Sequence, residues 1–202
     1  EVASVVREAG AILFCDAAQG AGKLALPHAD LIALAAHKLG GPPGIGALLV
    51  RDLGLLRPSG GQEKGYRGGT ENLPAIMGFA AALEADRGWL DRAAVLRARL
   101  DEGARELGLE VVAETAERIA TIGAYRLPGM AASAQLIRFD MAGVAISAGS
   151  ACSSGTLKTS HVLTAMGMDD KAASEVVRIS FGPDTDEAAV DRVLSLWQAM
   201  QA

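Results

Sequence analysis

The segments AILFCDAAQ at 11–19 and ADLIALAAHKLGGPPGIGALLV at 29–50 decide the fold. AILFC (11–15), LIALA (31–35) and GALLV (46–50) are short apolar runs of the kind found in buried parallel strands, bounded by glycine, proline and polar residues. Separated by turns and helical patterns, they predict a doubly wound α/β sheet with mostly parallel strands. Ligands of such sheets sit beyond the carboxyl ends of the strands. Asp16 falls just after the first strand and Lys38 just after the second, so two opposite charges share one edge of one sheet.

Outward from that core, residues 2–9 place Val2, Val5, Val6 and Ala9 at helical spacing ahead of Gly10. Gly54 to Gly69 is glycine-rich and irregular, longer than a plain connector, and reads as a binding or subunit-contact loop. Thr70 reads as the cap of a helical region running to about Leu107, as one long helix or two, with Asp101 and Arg105 as an i,i+4 pair on its wet side. Beyond it the pattern is α+β. Strands are predicted at 109–113, 119–127, 144–147 and 176–181, and helices at 131–141, 160–166 and 186–201, the last opened by Asp184 with Glu187 as a capping box.

The 202 residues are 50% hydrophobic and 21% charged, which suits a packed globular protein and excludes intrinsic disorder. The net charge is −5 and no stretch concentrates lysine and arginine, so nucleic acid is not expected as a ligand. No apolar run approaches the ~18 residues that span a bilayer. EVASVVREAG has neither the basic start nor the apolar core of a signal peptide, and a cytoplasmic protein without a membrane partner is expected. Glu1 opens directly into a helical pattern with no initiator Met, as if residues preceded it. Cys15 and Cys152 are far apart without metal-ligand spacing, so neither a disulfide framework nor a metal site is indicated. Cys15 lies in a core strand and reads as a small hydrophobe. Cys152 lies in SAGSACSSG (147–155), small and polar residues that suit an exposed loop.

A carboxylate at one strand end and a lysine at the next are what a pyridoxal phosphate site requires. The lysine forms a Schiff base with the aldehyde, and the carboxylate keeps the ring nitrogen protonated so that the ring can accept electrons. The same two residues also suit a plain polar surface. GGPPGIG (40–46) is a turn-rich linker by composition and lacks the Gly-Lys-Ser/Thr of a P-loop.

ADLIALAAHKLGGPPGIGALLV, GGQEKGYRGGTEN (60–72), SAGSACSSG with SHVLTAMG (160–167), and VVRISFG (176–182) occur in this order over nearly the whole chain. Together they resemble a cysteine desulfurase of the class V aminotransferase-like group, in the branch with a long catalytic-cysteine loop. The resemblance covers roughly the C-terminal half of a family member. It implies the aspartate-aminotransferase-like α/β fold, with residues 1–90 as the C-terminal part of an incomplete, pyridoxal-phosphate-binding large domain. Residues 91–202 would be a small α+β domain carrying the cysteine loop.

Carried over residue by residue, the resemblance implies that Lys38 bears the cofactor and Asp16 pairs with its ring nitrogen. Gln19 would hydrogen-bond the ring hydroxyl, and His37 would contact the phosphate. Thr70 would reach the phosphate of the other subunit, making a homodimer part of the site. Arg178 would hold the substrate carboxylate, a task suited to its planar fork, and Cys152 would take the substrate sulfur as a persulfide. L-cysteine would become L-alanine, and the sulfur would pass to an iron-sulfur scaffold, a tRNA-modifying enzyme or another acceptor protein. No metal is implied.

Two departures stand out. The hydroxyl residue that the family usually carries three before the lysine is Ala35 here. The family's ring-stacking histidine, main phosphate loop and an asparagine near the ring hydroxyl would lie upstream of Glu1, so these residues alone do not complete the site. A sheet lacking strands is expected to expose edges and apolar faces and to depend on a partner. Rival readings are another lyase of the same fold, such as a selenocysteine lyase; a non-catalytic sulfur carrier or scaffold-interaction protein; and a hydrolase using Cys152 with His161. The thiol loop argues against a simple aminotransferase, which needs no thiol.

Overall fold

A computed structural model describes residues 2–149 and 159–202. The chain folds as two compact units, Glu1–Arg87 and Gly88–Ala202.

The first unit carries α1 (Val2–Glu8), β1 (Phe14–Asp16), β2 (Leu31–Ala35), β3 (Gly46–Val50) and α2 (Leu73–Glu84), with short 3-10 turns at Ala36–Lys38, Leu53–Leu55 and Glu63–Gly65. Its three strands form one sheet in the order β1-β2-β3. β1 and β2 run parallel, Asp16 opposite Ala33, whereas β3 returns antiparallel, Ala35 opposite Gly46. The antiparallel return follows from chain length. A parallel neighbour needs a crossover of about a dozen residues or more, and residues 36–45 form only a 3-10 turn and a glycine-proline bend. Gly46 is required at that pairing, because a Cβ there would lie 2.4 Å from the carbonyl oxygen of Leu34.

This unit's core is built of small residues around Ile32, Leu39 and Phe79, namely Ala17, Ala21, Ala29 and Ala36. Phe14, Leu48 and Leu49 of the outer strands are exposed, as are Val2 and Val5 of α1, so the predicted amphipathic helix buries none of its residues. Thr70 does not cap α2. Asn72 does, its side chain accepting from the Ala75 amide at 3.3 Å, with Pro74 in the first turn where no amide donor is needed.

The second unit contains α3 (Trp89–Glu106), β4 (Glu110–Val111), β5 (Ile122–Arg126), α4 (Ala132–Met141), β6 (Ser147–Ala148), α5 (His161–Ala165), α6 (Asp170–Ser174), β7 (Val176–Ser180) and α7 (Glu187–Gln201). The predicted helical region 71–107 is thus α2 and α3, split at 85–88. The sheet order is β4-β5-β7-β6, antiparallel throughout. Helices α3, α4 and α7 bring Leu96, Leu100, Phe139, Val190, Val193 and Trp197 against Tyr125 of β5 and Val177 and Ile179 of β7. The Trp197 ring lies 5.3 Å from Tyr125 and 5.8 Å from Phe139, edge-on to the latter.

Polar groups join the elements of this core. Trp197 Nε1 donates to Gln135 Oε1, and Gln135 Nε2 donates to the carbonyls of Met130 and Glu175. The buried Glu175 carboxylate accepts from Arg126 Nε at 2.8 Å and from the Gly129 amide at 3.1 Å. Two residues depart from the sequence expectation. The α7 cap is Asp186, which accepts from the Ala189 amide at 2.9 Å, and not Asp184. Asp101 is not on the wet side of α3, because it faces Tyr125, Arg97 and Arg118. Arg105 pairs with Glu114 instead.

Candidate functional site

The parallel pairing of β1 with β2 places their carboxyl ends on one edge of the first unit's sheet. Asp16 closes β1, and His37 and Lys38 stand on the 3-10 turn that follows β2 directly. All three are exposed. Asp16 Oδ1 accepts the Ala18 amide at 2.9 Å, which fixes the carboxylate at the start of the turn after β1 and leaves its second oxygen for a ligand. The tract 17–24 is then wound tightly, with the Ala21 amide bonded to the Ala17 carbonyl and the Leu24 amide to the Gly20 carbonyl, each at 2.8 Å. That winding puts Gln19 and Lys23 on one side, and Lys23 Nζ donates to Gln19 Oε1 at 3.1 Å.

Burial pushes the Lys23 ammonium below its usual range, and the nearby cations Lys38 and Arg87 push it the same way. Gly22 sits between these groups at φ +70°. A Cβ there would lie 2.5 Å from Leu39 Cδ2 and 3.3 Å from the Arg87 guanidinium. Sequence reasoning did not single out Lys23. Its signal is the i,i+4 spacing from Gln19 in QGAGK (19–23).

Thr70 is exposed in the segment before α2. Ala35 ends β2 in extended backbone, φ −129° and ψ 121°, and offers no side-chain bond to the turn it precedes. Arg178 belongs to the second unit, in β7, opposite Ala124 of β5 and Ser147 of β6. It is half-buried, and its Nη1 donates to the Gly149 carbonyl at 2.7 Å. A buried guanidinium in an apolar strand would need an anion. Among the described residues the partner of Arg178 is this carbonyl. Cys152 lies outside the described residues. Cys15 is half-buried in β1 against the first unit's core, as a small hydrophobe would be.

The donor set of the first unit fits pyridoxal phosphate. It offers a carboxylate for a protonated ring nitrogen, an amine on the turn after the neighbouring strand, an amide for a ring oxygen, and the His37 ring beside that amine for a phosphate.

The Aminotransferase class-V family model matches residues 1–193. A cysteine desulfurase of Gluconacetobacter diazotrophicus is 41% identical, over 96% of this chain and 52% of its own length. Among solved structures, a NifS-like protein superposes with a TM-score of 0.85 at 28% identity, over 99% of this chain and 55% of its own. SspA in complex with cysteine superposes with a TM-score of 0.72 at 30% identity, over 90% of this chain and 53% of its own. The chain spans about half the length of the curated relatives it matches. Among the described residues no helix is long and apolar enough to cross a membrane.

Proposed function

The chain belongs to the class-V aminotransferase family, and from that premise we propose that it contributes the lysine-bearing part of the active site of a pyridoxal-phosphate-dependent cysteine desulfurase. The observation that carries this reading is the placement of Asp16 and Lys38 at the carboxyl ends of two parallel, adjacent strands. Resemblance to the Gluconacetobacter cysteine desulfurase over 96% of the chain supports the reaction. When bound, pyridoxal phosphate supplies an electron sink for the bonds at the substrate α-carbon.

The protein's own groups do the rest. Asp16 holds a proton on the ring nitrogen, and Gln19 donates to the ring oxygen. His37 donates to the phosphate, and Lys38 tethers the cofactor, then carries the proton to and from the substrate carbon. Arg178 binds the substrate carboxylate with the N–H groups that Gly149 does not take. The Cys152 thiolate bonds to the substrate sulfur as the substrate C–S bond breaks. The proton released by the thiol goes to the β-carbon, where the C–S bond broke, and Lys38 returns one to the α-carbon, which gives alanine. Cys152 keeps the sulfur as a persulfide. Cysteine plus thiol thus becomes alanine plus persulfide, with no external oxidant.

In the same proposal, residues 1–90 belong to the cofactor-binding domain and residues 91–202 to a small domain with the cysteine loop. Thr70 serves the phosphate of a second subunit in a homodimer. The sulfur goes to an acceptor protein, for iron-sulfur assembly or tRNA thiolation, in the cytoplasm.

The test is the visible spectrum of the protein containing this chain, with pyridoxal phosphate, compared with Lys38→Ala and followed by intact mass after exposure to cysteine. A visible band that requires Lys38, and one added sulfur that requires Cys152, are expected. Absence of the band from the unaltered protein would overturn the cofactor assignment. A band without sulfur on Cys152 would point to another lyase of the same fold.

A further inference from the structure

We infer that Lys23 is a positioning residue of the cofactor site: its ammonium fixes the orientation of the Gln19 amide, so that Gln19 presents only N–H donors to the ligand and selects an acceptor oxygen on the ring. This rests on the pyridoxal phosphate reading above.

Hydrogen-bond chemistry decides the orientation. A side-chain amide has one accepting end and one donating end of nearly equal size, and an unrestrained glutamine can present either. An ammonium has donors only. The group that faces Lys23 Nζ at 3.1 Å is therefore the amide oxygen, Gln19 Oε1, and the NH2 group is turned away from it. A hydroxyl ligand can adapt to either amide orientation, whereas an ionised phenol oxygen accepts only. With Lys23 in place, Gln19 is complementary to the ionised ring oxygen.

The backbone makes this contact reproducible. The 2.8 Å bonds from Ala21 to Ala17 and from Leu24 to Gly20 hold the tract in a tight winding with Gln19 and Lys23 four residues apart. Gly22, between them, leaves no room for a Cβ unless Leu39 moves, which seats the tract against the residue following Lys38. Lys23 is half-buried and shares this edge with Lys38 and Arg87.

The experiment measures the dissociation constant of pyridoxal phosphate, and the pH midpoint of its visible band, in the protein containing this chain. Unaltered protein is compared with Lys23→Met, Lys23→Arg, Gln19→Ala and the Lys23→Met/Gln19→Ala pair. Loss of one ordinary hydrogen bond predicts an affinity about threefold to tenfold weaker in Lys23→Met, with the midpoint displaced toward higher pH as the ionised ring oxygen loses its donor. Lys23→Arg, which still only donates, is expected to stay within about twofold of the unaltered protein, because it preserves that bond. In the Gln19→Ala background Lys23→Met is expected to change nothing further, since the two act as one unit. With 3-deoxypyridoxal phosphate, which lacks the ring oxygen, Lys23→Met is expected to bind as the unaltered protein does.

An unchanged affinity in Lys23→Met would overturn the inference while leaving the site intact. So would an equal loss with or without Gln19, because a merely structural lysine behaves that way. Failure of the unaltered protein to bind pyridoxal phosphate would remove the underlying reading, and this inference with it.

Discussion

Tyr125 donates its hydroxyl proton to Asp101 Oδ1 at 2.6 Å, from a ring that is wholly buried in β5. Asp101 is also approached by Arg97 Nε and Arg118 Nη2, each at 3.5 Å, so one carboxylate ties α3 to β5 and to the segment between β4 and β5. Arg97 is held from its other side by the Ile119 carbonyl at 2.9 Å. Removing the hydroxyl in Tyr125→Phe leaves the carboxylate with the weaker contacts only. Chemical denaturation at neutral pH is expected to show a loss of about 1.5 to 3 kcal/mol, the worth of a hydrogen bond to a charged group.

The same contact has a pH signature. Burial, and then the hydrogen bond and charge of Asp101, hold the Tyr125 hydroxyl protonated far above its usual value of 10.0. A group whose folded pKa is raised contributes stability in full below its unfolded pKa and loses it as pH rises toward the folded one. The melting temperature should therefore fall more steeply above pH 10 in the unaltered protein than in Tyr125→Phe. Parallel alkaline limbs for the two proteins would show that the tyrosine is not coupled to folding.

Much of this architecture is legible without coordinates, and the boundary falls in a consistent place. β2 and β3 follow directly from LIALA and GALLV, because an apolar run between glycines and prolines has few other uses. The charges at the sheet edge are legible for the same reason, since a strand end dictates where the next residue stands. Caps are not. Thr70 and Asn72 are both good caps by type, and the helix begins after Asn72, whose side chain accepts from the Ala75 amide. Asp101 shows the same limit, because a single charged residue near the edge of an apolar stripe can turn inward if a tyrosine and two arginines meet it. Lys23 is hidden for a related reason: its role depends on the winding of 17–24, and GAGK has no strand or helix pattern of its own.

Ala35 makes a prediction about cofactor affinity. It lies half-buried at the end of β2, three residues before Lys38, where a hydroxyl could donate to the cofactor phosphate. Ala35→Ser adds one oxygen at an extended backbone position and demands no change of φ. A new bond to a dianion is worth about 1.5 to 3 kcal/mol, so pyridoxal phosphate is expected to bind at least about tenfold more tightly. Titration of the visible band checks this, and unchanged affinity would place the phosphate away from residue 35.

Arg178 divides its fork between the Gly149 carbonyl and, in the proposed reaction, the substrate carboxylate. A lysine can satisfy one of these in line but has no planar second arm. Arg178→Lys is therefore expected to raise KM for cysteine by about tenfold, one charged hydrogen bond, while pyridoxal phosphate binding stays unchanged. Steady-state kinetics with a parallel cofactor titration separates the two. Equal losses in both would assign Arg178 to the fold and not to the substrate.

Gly22 and Gly10 share a left-handed backbone, φ +70° and +65°, and differ in surroundings. Around Gly10 a Cβ would meet nothing within 4 Å, whereas at Gly22 it would strike Leu39 Cδ2 at 2.5 Å. Gly10→Ala therefore isolates the backbone cost, about 1 to 2 kcal/mol for an L-residue in this conformation. Gly22→Ala carries that cost and a further ~1 to 3 kcal/mol for overpacking, unless Leu39 moves. Leu39 directly follows Lys38, so relief by movement of Leu39 would appear as weakened pyridoxal phosphate binding in Gly22→Ala and not in Gly10→Ala. Stability and affinity measured on the same two variants distinguish these outcomes. Equal effects of both on both quantities would mean that the tract 17–24 is not seated against Leu39.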